Sequence, residues 1–215
     1  MEERNYSTIS PSAKALLLMK GYTNIPFARQ VAELAVYPER YAPDYTRRDL
    51  VFWARTFHFE NRYWSIDQLL NEVAVTNILE LSSGFSFRGL NAASRKNVHY
   101  IDTDLPEMVA TKKEYADVLQ KGLTLKGKLE ILPLNALDEE QFRKVVSRFP
   151  AGEIVIVNEG LLMYLDRTEK EKLCRIIYAV LKERGGYWIT ADVYVKNKME
   201  KLDIKLDDKL QKFLK

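Results

Sequence analysis

From residue 77 onward the chain repeats one pattern: a short run rich in β-branched and aromatic residues, then an amphipathic stretch, then another such run. The runs are TNILEL (76–81), NVHYID (97–102), LEILPL (129–134), EIVIVN (153–158) and GYWITADVYV (186–195). Between them lie SFRGLNAASR, PEMVATKKEYADVLQK, EEQFRKVVSRF and RTEKEKLCRIIYAVLKER, each with apolar residues at helical spacing, and Gly185 and Gly186 close the last. Regular alternation of strand and helix requires crossover connections, and crossovers join parallel strands. The expected fold is therefore α/β, a doubly wound, mainly parallel Rossmann-like sheet. Its ligand should lie beyond the carboxyl ends of the strands, where the strand order reverses.

The first 76 residues have a different rhythm. SAKALLLMK, PFARQVAELAVY, RRDLVFWARTF and NRYWSIDQLLNEVAV show helical periodicity without strand alternation, with Pro26 at a helix start and Pro38 and Pro43 punctuating the turn region YPERYAPDY. At the other end, Met199, Leu202, Leu206, Leu210 and Phe213 fall at spacings of three and four, which makes one apolar face of a helix. The expected division is an N-terminal helical cap over 1–76, an α/β core over 77–195 and a C-terminal amphipathic helix over 196–215, its lysine face solvated rather than laid on a membrane.

Composition narrows the function classes. The 33 basic and 30 acidic residues are spread along the chain rather than gathered into a stripe, which argues against a nucleic-acid partner. One cysteine, Cys174, and two histidines, His58 and His99, leave no metal site to expect, and Cys174 reads as a small core residue of its helix. No window of about 18 uncharged apolar residues occurs, and the N-terminus carries no apolar run behind a basic start. The expectation is a cytoplasmic protein with no membrane partner.

The turn after the first strand reads Ser82-Ser83-Gly84-Phe85-Ser86-Phe87. A dinucleotide fold needs three glycines there so that backbone can approach a pyrophosphate, and this turn has one. A nucleoside ligand without phosphates needs less: a glycine where backbone meets ligand, and an acid near the end of the second strand for the ribose hydroxyls. Gly84 supplies the first and Asp102 or Asp104 the second. S-adenosylmethionine is such a ligand, and its sulfonium favours nearby carboxylates such as Glu80 or Glu159. A satisfied strand-end carboxylate is the plain alternative for Glu80.

DLPEMVATKK after the second strand and NEGLLMYL after the fourth, together with SSGFSFR after the first, resemble the leucine carboxyl methyltransferase family, which includes polyketide O-methyltransferases of the tetracenomycin type. Members typically read G-A-G-x-D-T-R, D-x-P followed by a lysine, and E-x-x-x-x-Y at these places. The resemblance extends upstream to Lys14, seven residues before a GY pair, and to Arg62 ahead of SIDQLL. It implies a class I methyltransferase core and transfer of a methyl group from S-adenosylmethionine to a carboxylate or hydroxyl oxygen of a small molecule or protein.

By the same resemblance, Lys14 and Arg62 would hold the methionine carboxylate, Gly84 would let backbone approach the ligand, and Asp104 would bind the ribose, with Asp102 as its rival. Asn135 and Ala136 would face the adenine, Glu159 would sit near the amino group or sulfonium, and Tyr164 would border the methyl-transfer pocket. The chain departs from the family at Ser82 for the first glycine, Ser86 for the acid and Asn135 for the adenine-side acid, and its C-terminus is shortened after the fifth strand. A methyltransferase-like binding or regulatory protein without turnover is the alternative reading, and homo-oligomer formation is left open.

Overall fold

The computed structural model describes residues 10–42 and 49–192. In chain order the elements are α1 (Ser10–Lys20), α2 (Ala28–Val36), α3 (Leu50–Glu72), β1 (Asn77–Leu81), α4 (Arg88–Arg95), β2 (His99–Asp104), α5 (Pro106–Leu119), β3 (Lys128–Pro133), α6 (Glu139–Val146) and β4 (Ile154–Asn158). A short 3-10 helix (Leu162–Tyr164), α7 (Arg167–Arg184) and β5 (Gly186–Thr190) complete the described chain. The five strands form one sheet in the order β3-β2-β1-β4-β5. Every pairing is parallel, so the sheet is wholly rather than mainly parallel among the described residues. The order reverses between β1 and β4, and a ligand crevice is expected at their carboxyl ends.

Central and edge strands differ as a doubly wound sheet requires. NILEL of β1 and IVIVN of β4 are buried throughout, while β3 is exposed at both ends and fully buried only at Ile131. One face of the sheet, through Leu79, Leu81, Ile101, Ile154 and Ile156, packs on Phe142 and Val145 of α6 and on Leu173, Ile176, Ile177 and Val180 of α7. The opposite face, through Ile78, Tyr100, Val155 and Val157, receives Ile66 of α3 and Ala93 of α4. Leu17 of α1, Val31 of α2, Leu90 of α4 and Val109 and Ala116 of α5 extend this second layer over Ile131 of β3. Each fully buried side chain of this size stabilises the fold by about 1.5–3 kcal/mol.

Local signals set the helix ends. Asp49 accepts the Phe52 amide at 2.6 Å to open α3, Asp138 accepts Gln141 at 3.0 Å to open α6, and Asp166 with Glu169 forms a capping box on α7. Pro106 starts α5 at a position where its missing N–H has no helical partner to lose. The last two helical stretches expected before residue 76 join into the single α3, because HFE between them contains neither glycine nor proline. At the β4 and β5 contact, Gly186 has φ +107° and a Cβ there would lie 2.0 Å from the Ile154 carbonyl oxygen, so only glycine fits.

Two expectations change. Cys174 is exposed on α7 rather than in the core. Leu173, Ile176, Ile177 and Val180 occupy the buried stripe, and position 174 falls beside it. The fifth strand ends at Thr190, with Ala191 and Asp192 outside it. Its expected continuation over 193–195, the C-terminal helix over 196–215 and the turn at Pro43 lie outside the described residues.

Candidate cofactor site at the switch point

β1 and β2 each carry a buried carboxylate at the same level of the sheet, Glu80 opposite Asp102. Each meets a cation from the helix that follows its strand. Arg88, at the start of α4, places Nε 3.4 Å from Glu80, and Lys112, on α5, places Nζ 2.7 Å from Asp102. Ser83 fills the remaining space in the second pair, hydrogen-bonded to Asp102 and accepting from Lys112 at 2.7 Å. Burial pushes the Asp102 carboxyl up to about 6 against the pull of the Lys112 ammonium. Asp102 is thus engaged inside the layer between sheet and helix.

Asp104, two residues on, holds the turn itself. Its Oδ2 accepts the Gly84 amide at 2.7 Å and its Oδ1 accepts the Leu105 amide at 2.7 Å. Burial raises its pKa, and these two amides draw it back toward the ionised form. An ionised carboxylate has about four acceptor positions, so two amides leave room for ribose hydroxyls. Gly84 has φ +53° and nothing within 4 Å of where a Cβ would stand. Backbone and open space therefore adjoin at the position where a nucleoside would approach. Ser82, in place of the first glycine, takes φ +49°, a conformation that strains an L-residue.

Arg88 is the centre of a larger network. Its side chain is 1% exposed, and besides Glu80 it binds Asp67 at 2.6 Å, Glu159 at 2.6 Å and the Tyr63 carbonyl oxygen at 2.9 Å. The guanidinium also lies over the Tyr63 ring, 4.1 Å from its centroid. Tyr100 donates to Glu80 at 2.7 Å. Burial alone would lower the Arg88 pKa, but Glu80 and Glu159 outweigh it and the net direction is upward. Glu159 shows the converse: burial would raise it, and Lys20, Arg88 and Arg62 together hold it below the usual carboxylate range.

Arg62 and Lys20 form the open side of this network. Lys20 Nζ is 3.4 Å from Glu159, Arg62 Nη2 is 3.9 Å from the same oxygen, and Arg62 Nη2 is also 3.1 Å from Asp192. His58, one turn before Arg62, has its pKa lowered by burial and then by the Arg62 charge. Carboxylates outnumber cations around the switch point: Glu80, Glu159, Asp67, Asp102, Asp104 and Asp192 face Lys20, Arg62, Arg88 and Lys112. Such a site favours a ligand with net positive charge.

The residues singled out in the sequence are thus dispersed unequally. Glu80 and Glu159 converge on Arg88, Arg62 approaches the same Glu159 from the other side, and Gly84 and Asp104 pair at the turn. Lys14 is exposed on α1, and Lys20, later on the same helix, is the lysine that reaches Glu159. Asn135 is exposed past β3 with its side chain closing a turn onto the Leu137 amide at 3.0 Å, and Ala136 beside it is buried. Tyr164 ends the 3-10 helix after β4, half-buried. Lys20, Asp67 and Asp192 were not singled out by the motifs, whereas Lys112 is the lysine of DLPEMVATK; a strand carboxylate followed eight or ten residues later by a helical cation marks both buried pairs.

No family model matches this sequence, and no curated protein matches it. Solved structures do. A candidate methyltransferase from Thermobifida fusca YX is 16% identical, over 94% of this chain and 70% of that one, with a TM-score of 0.53. A DUF574 family protein from Streptomyces avermitilis MA-4680 is 12% identical over 83% of this chain and 67% of that one, with a TM-score of 0.51. A structure from work on the conversion of a disulfide bond into a thioacetal group during echinomycin biosynthesis is 15% identical over 53% of this chain, with a TM-score of 0.40, and the match spans 44% of its length. At such identities the likeness is one of architecture. The chain has the α/β Rossmann-like fold of the class I methyltransferases.

Proposed function

We propose that this protein is an S-adenosylmethionine-dependent O-methyltransferase of the leucine carboxyl methyltransferase type, acting on a carboxylate or hydroxyl oxygen of a small molecule or protein. The observation that carries the reading is the Gly84 amide held 2.7 Å from Asp104 at the switch point, with open space on the glycine. The excess of carboxylates in the surrounding network adds to it, because S-adenosylmethionine carries a net positive charge at neutral pH. The motifs SSGFSFR, DLPEMVATK and EGLLMY support the family assignment.

When bound, S-adenosylmethionine supplies an electrophilic methyl group that an oxygen nucleophile takes in one displacement, with S-adenosylhomocysteine as the leaving group. The chain's own tasks are binding and alignment. Asp104 would accept the ribose hydroxyls, and Arg62 with Lys20 would hold the methionine carboxylate, Arg62 by its planar fork. Glu159 would face the cationic end of the ligand, and Tyr164 would orient the acceptor. An ionised carboxylate acceptor needs no base, which fits the lack of any named acid–base dyad in this reading.

Titration calorimetry with S-adenosylmethionine and S-adenosylhomocysteine tests the proposal, on the native protein and on Asp104→Ala, Lys14→Ala and Lys20→Ala. Saturable binding, weakened by Asp104→Ala and by Lys20→Ala but not by Lys14→Ala, is expected. No binding by folded protein refutes it. The strained Ser82 in the turn favours a second reading, a methyltransferase-like binding or regulatory protein. Binding without methyl transfer to any offered carboxylate or phenol supports that one.

A further inference from the structure

Asp192 leaves β5 by two residues and its carboxylate is fully buried. Oδ1 accepts the Gly160 amide at 2.6 Å and Arg62 Nη2 at 3.1 Å. Oδ2 accepts the Leu161 amide at 2.8 Å, the Leu162 amide at 3.0 Å and Asn158 Nδ2 at 2.8 Å. These donors more than fill the roughly four acceptor positions of a carboxylate, so Asp192 has none left for a ligand. Its own place is fixed from behind. Its amide donates to Thr190 Oγ1 at 3.1 Å, Asn158 donates to the same oxygen at 2.9 Å, and Trp188 Nε1 donates to Asn158 at 2.7 Å.

The three capped amides follow directly on Glu159, and Gly160 is packed so closely that a Cβ would lie 3.3 Å from Arg62 Nη2. One buried carboxylate thus fixes both the loop that presents Glu159 and the guanidinium that shares Glu159 with Lys20. We infer that Asp192 is the positioning residue of this site, setting the Arg62 guanidinium and the loop from Glu159 to Leu162 in one arrangement to which a carboxylate-bearing ligand binds. The inference rests on the proposed function, since the ligand bound there is that of the reading above.

The test is a double-mutant cycle read by calorimetry with S-adenosylhomocysteine, using Asp192→Asn, Arg62→Gln and the pair together. Each single change should weaken binding about tenfold or more, as expected for loss of a charge-assisted contact. The pair should bind no more weakly than Arg62→Gln alone, while the melting temperature falls on Asp192→Asn in both backgrounds. A merely structural Asp192 would lower the melting temperature and leave the affinity of the folded protein unchanged, and that result overturns the inference. So does a second full loss of affinity in the pair. If Asp192→Asn does not fold, Gly160→Ala presses on the same guanidinium from the loop side and must weaken binding; native affinity there refutes the idea equally. Failure of the unaltered protein to bind S-adenosylhomocysteine removes the proposed function itself and this inference with it.

Discussion

Replacing Arg88 by methionine should be among the most damaging single changes to this protein. Methionine is close enough in volume to leave no large cavity, so the cost is electrostatic. Asp67 loses its partner at 2.6 Å, Glu159 loses one at 2.6 Å but keeps Lys20 at 3.4 Å, and Glu80 keeps the Tyr100 hydroxyl at 2.7 Å. Removing one member of a buried ionic cluster leaves uncompensated charge and costs about 3–5 kcal/mol. For a chain of this size each kcal/mol shifts the melting temperature by about 2–4 °C, so a fall of roughly 6–20 °C is expected. The sign with pH is fixed as well. Unpaired buried carboxylates have native pKa values raised above the unfolded ones, so their contribution is fully present below the unfolded pKa and is lost as pH rises through the native one. The deficit of Arg88→Met should therefore shrink as pH falls from about 7 to about 5. Thermal unfolding reads the first and urea unfolding at several pH values the second, both followed by tryptophan fluorescence. Arg143, exposed and paired with Glu139 and Glu183, serves as control, and Arg143→Gln should leave the midpoint unchanged. A deficit for Arg88→Met below about 1 kcal/mol, or one that does not vary with pH, would show that the guanidinium does not compensate these buried carboxylates.

Further outcomes follow from single positions. The Asp102 carboxyl, pushed up to about 6 by burial, makes the native protein gain stability relative to Asp102→Asn as pH falls from about 7 toward about 4, measured as the difference between their urea midpoints. Ser82→Gly removes the strain of a serine at φ +49° and should raise the midpoint by the equivalent of about 1 kcal/mol. Gly186→Ala would set a Cβ 2.0 Å from the Ile154 carbonyl oxygen and should abolish soluble expression, whereas Gly152→Ala, with nothing within 4 Å, should fold and lose only the stability that its φ of +124° costs an alanine. Asp166→Ala removes the capping box of α7 and should lower stability by about 1 kcal/mol in the same assay.

The parallel sheet was legible because its evidence is periodic and local: β1 and β4 are β-rich runs interrupted only by Glu80 within β1, and α5, α6 and α7 each carry a cap or proline, whereas α4 has neither. The junction inside α3 was less so, since the charged and aromatic residues between its halves neither break nor announce a helix. At the site, motif spacing led to Gly84, Asp104, Glu159 and Arg62, all of which lie near the ends of strands or on the helix facing them. Lys20 and Asp192 escaped it for a physical reason. Their partners are distant in sequence, Glu159 for one and Arg62 for the other, and no periodicity records which charges a fold will bring together.

That mode of assembly bears on how the N-terminal helices and the sheet respond to a ligand. Ile66 of α3 is buried against Ile78 and Val155, and Arg88 joins Tyr63 and Asp67 of the same helix to Glu80 and Glu159. α3 is therefore held to the sheet by apolar contact at Ile66 and Leu70 and by charge beside the switch point. Both kinds of contact need close approach, but only the ionic cluster responds to a change of charge among its members. A ligand that alters the charge balance at Glu159 or Arg62 must alter the docking of α3 as well. Binding at the turn and the stability of the helical layer are then two readings of one set of contacts, and a ligand-induced rise in melting temperature should be largest in the variants that weaken those contacts without occupying the ligand's own place, Asp67→Asn first among them.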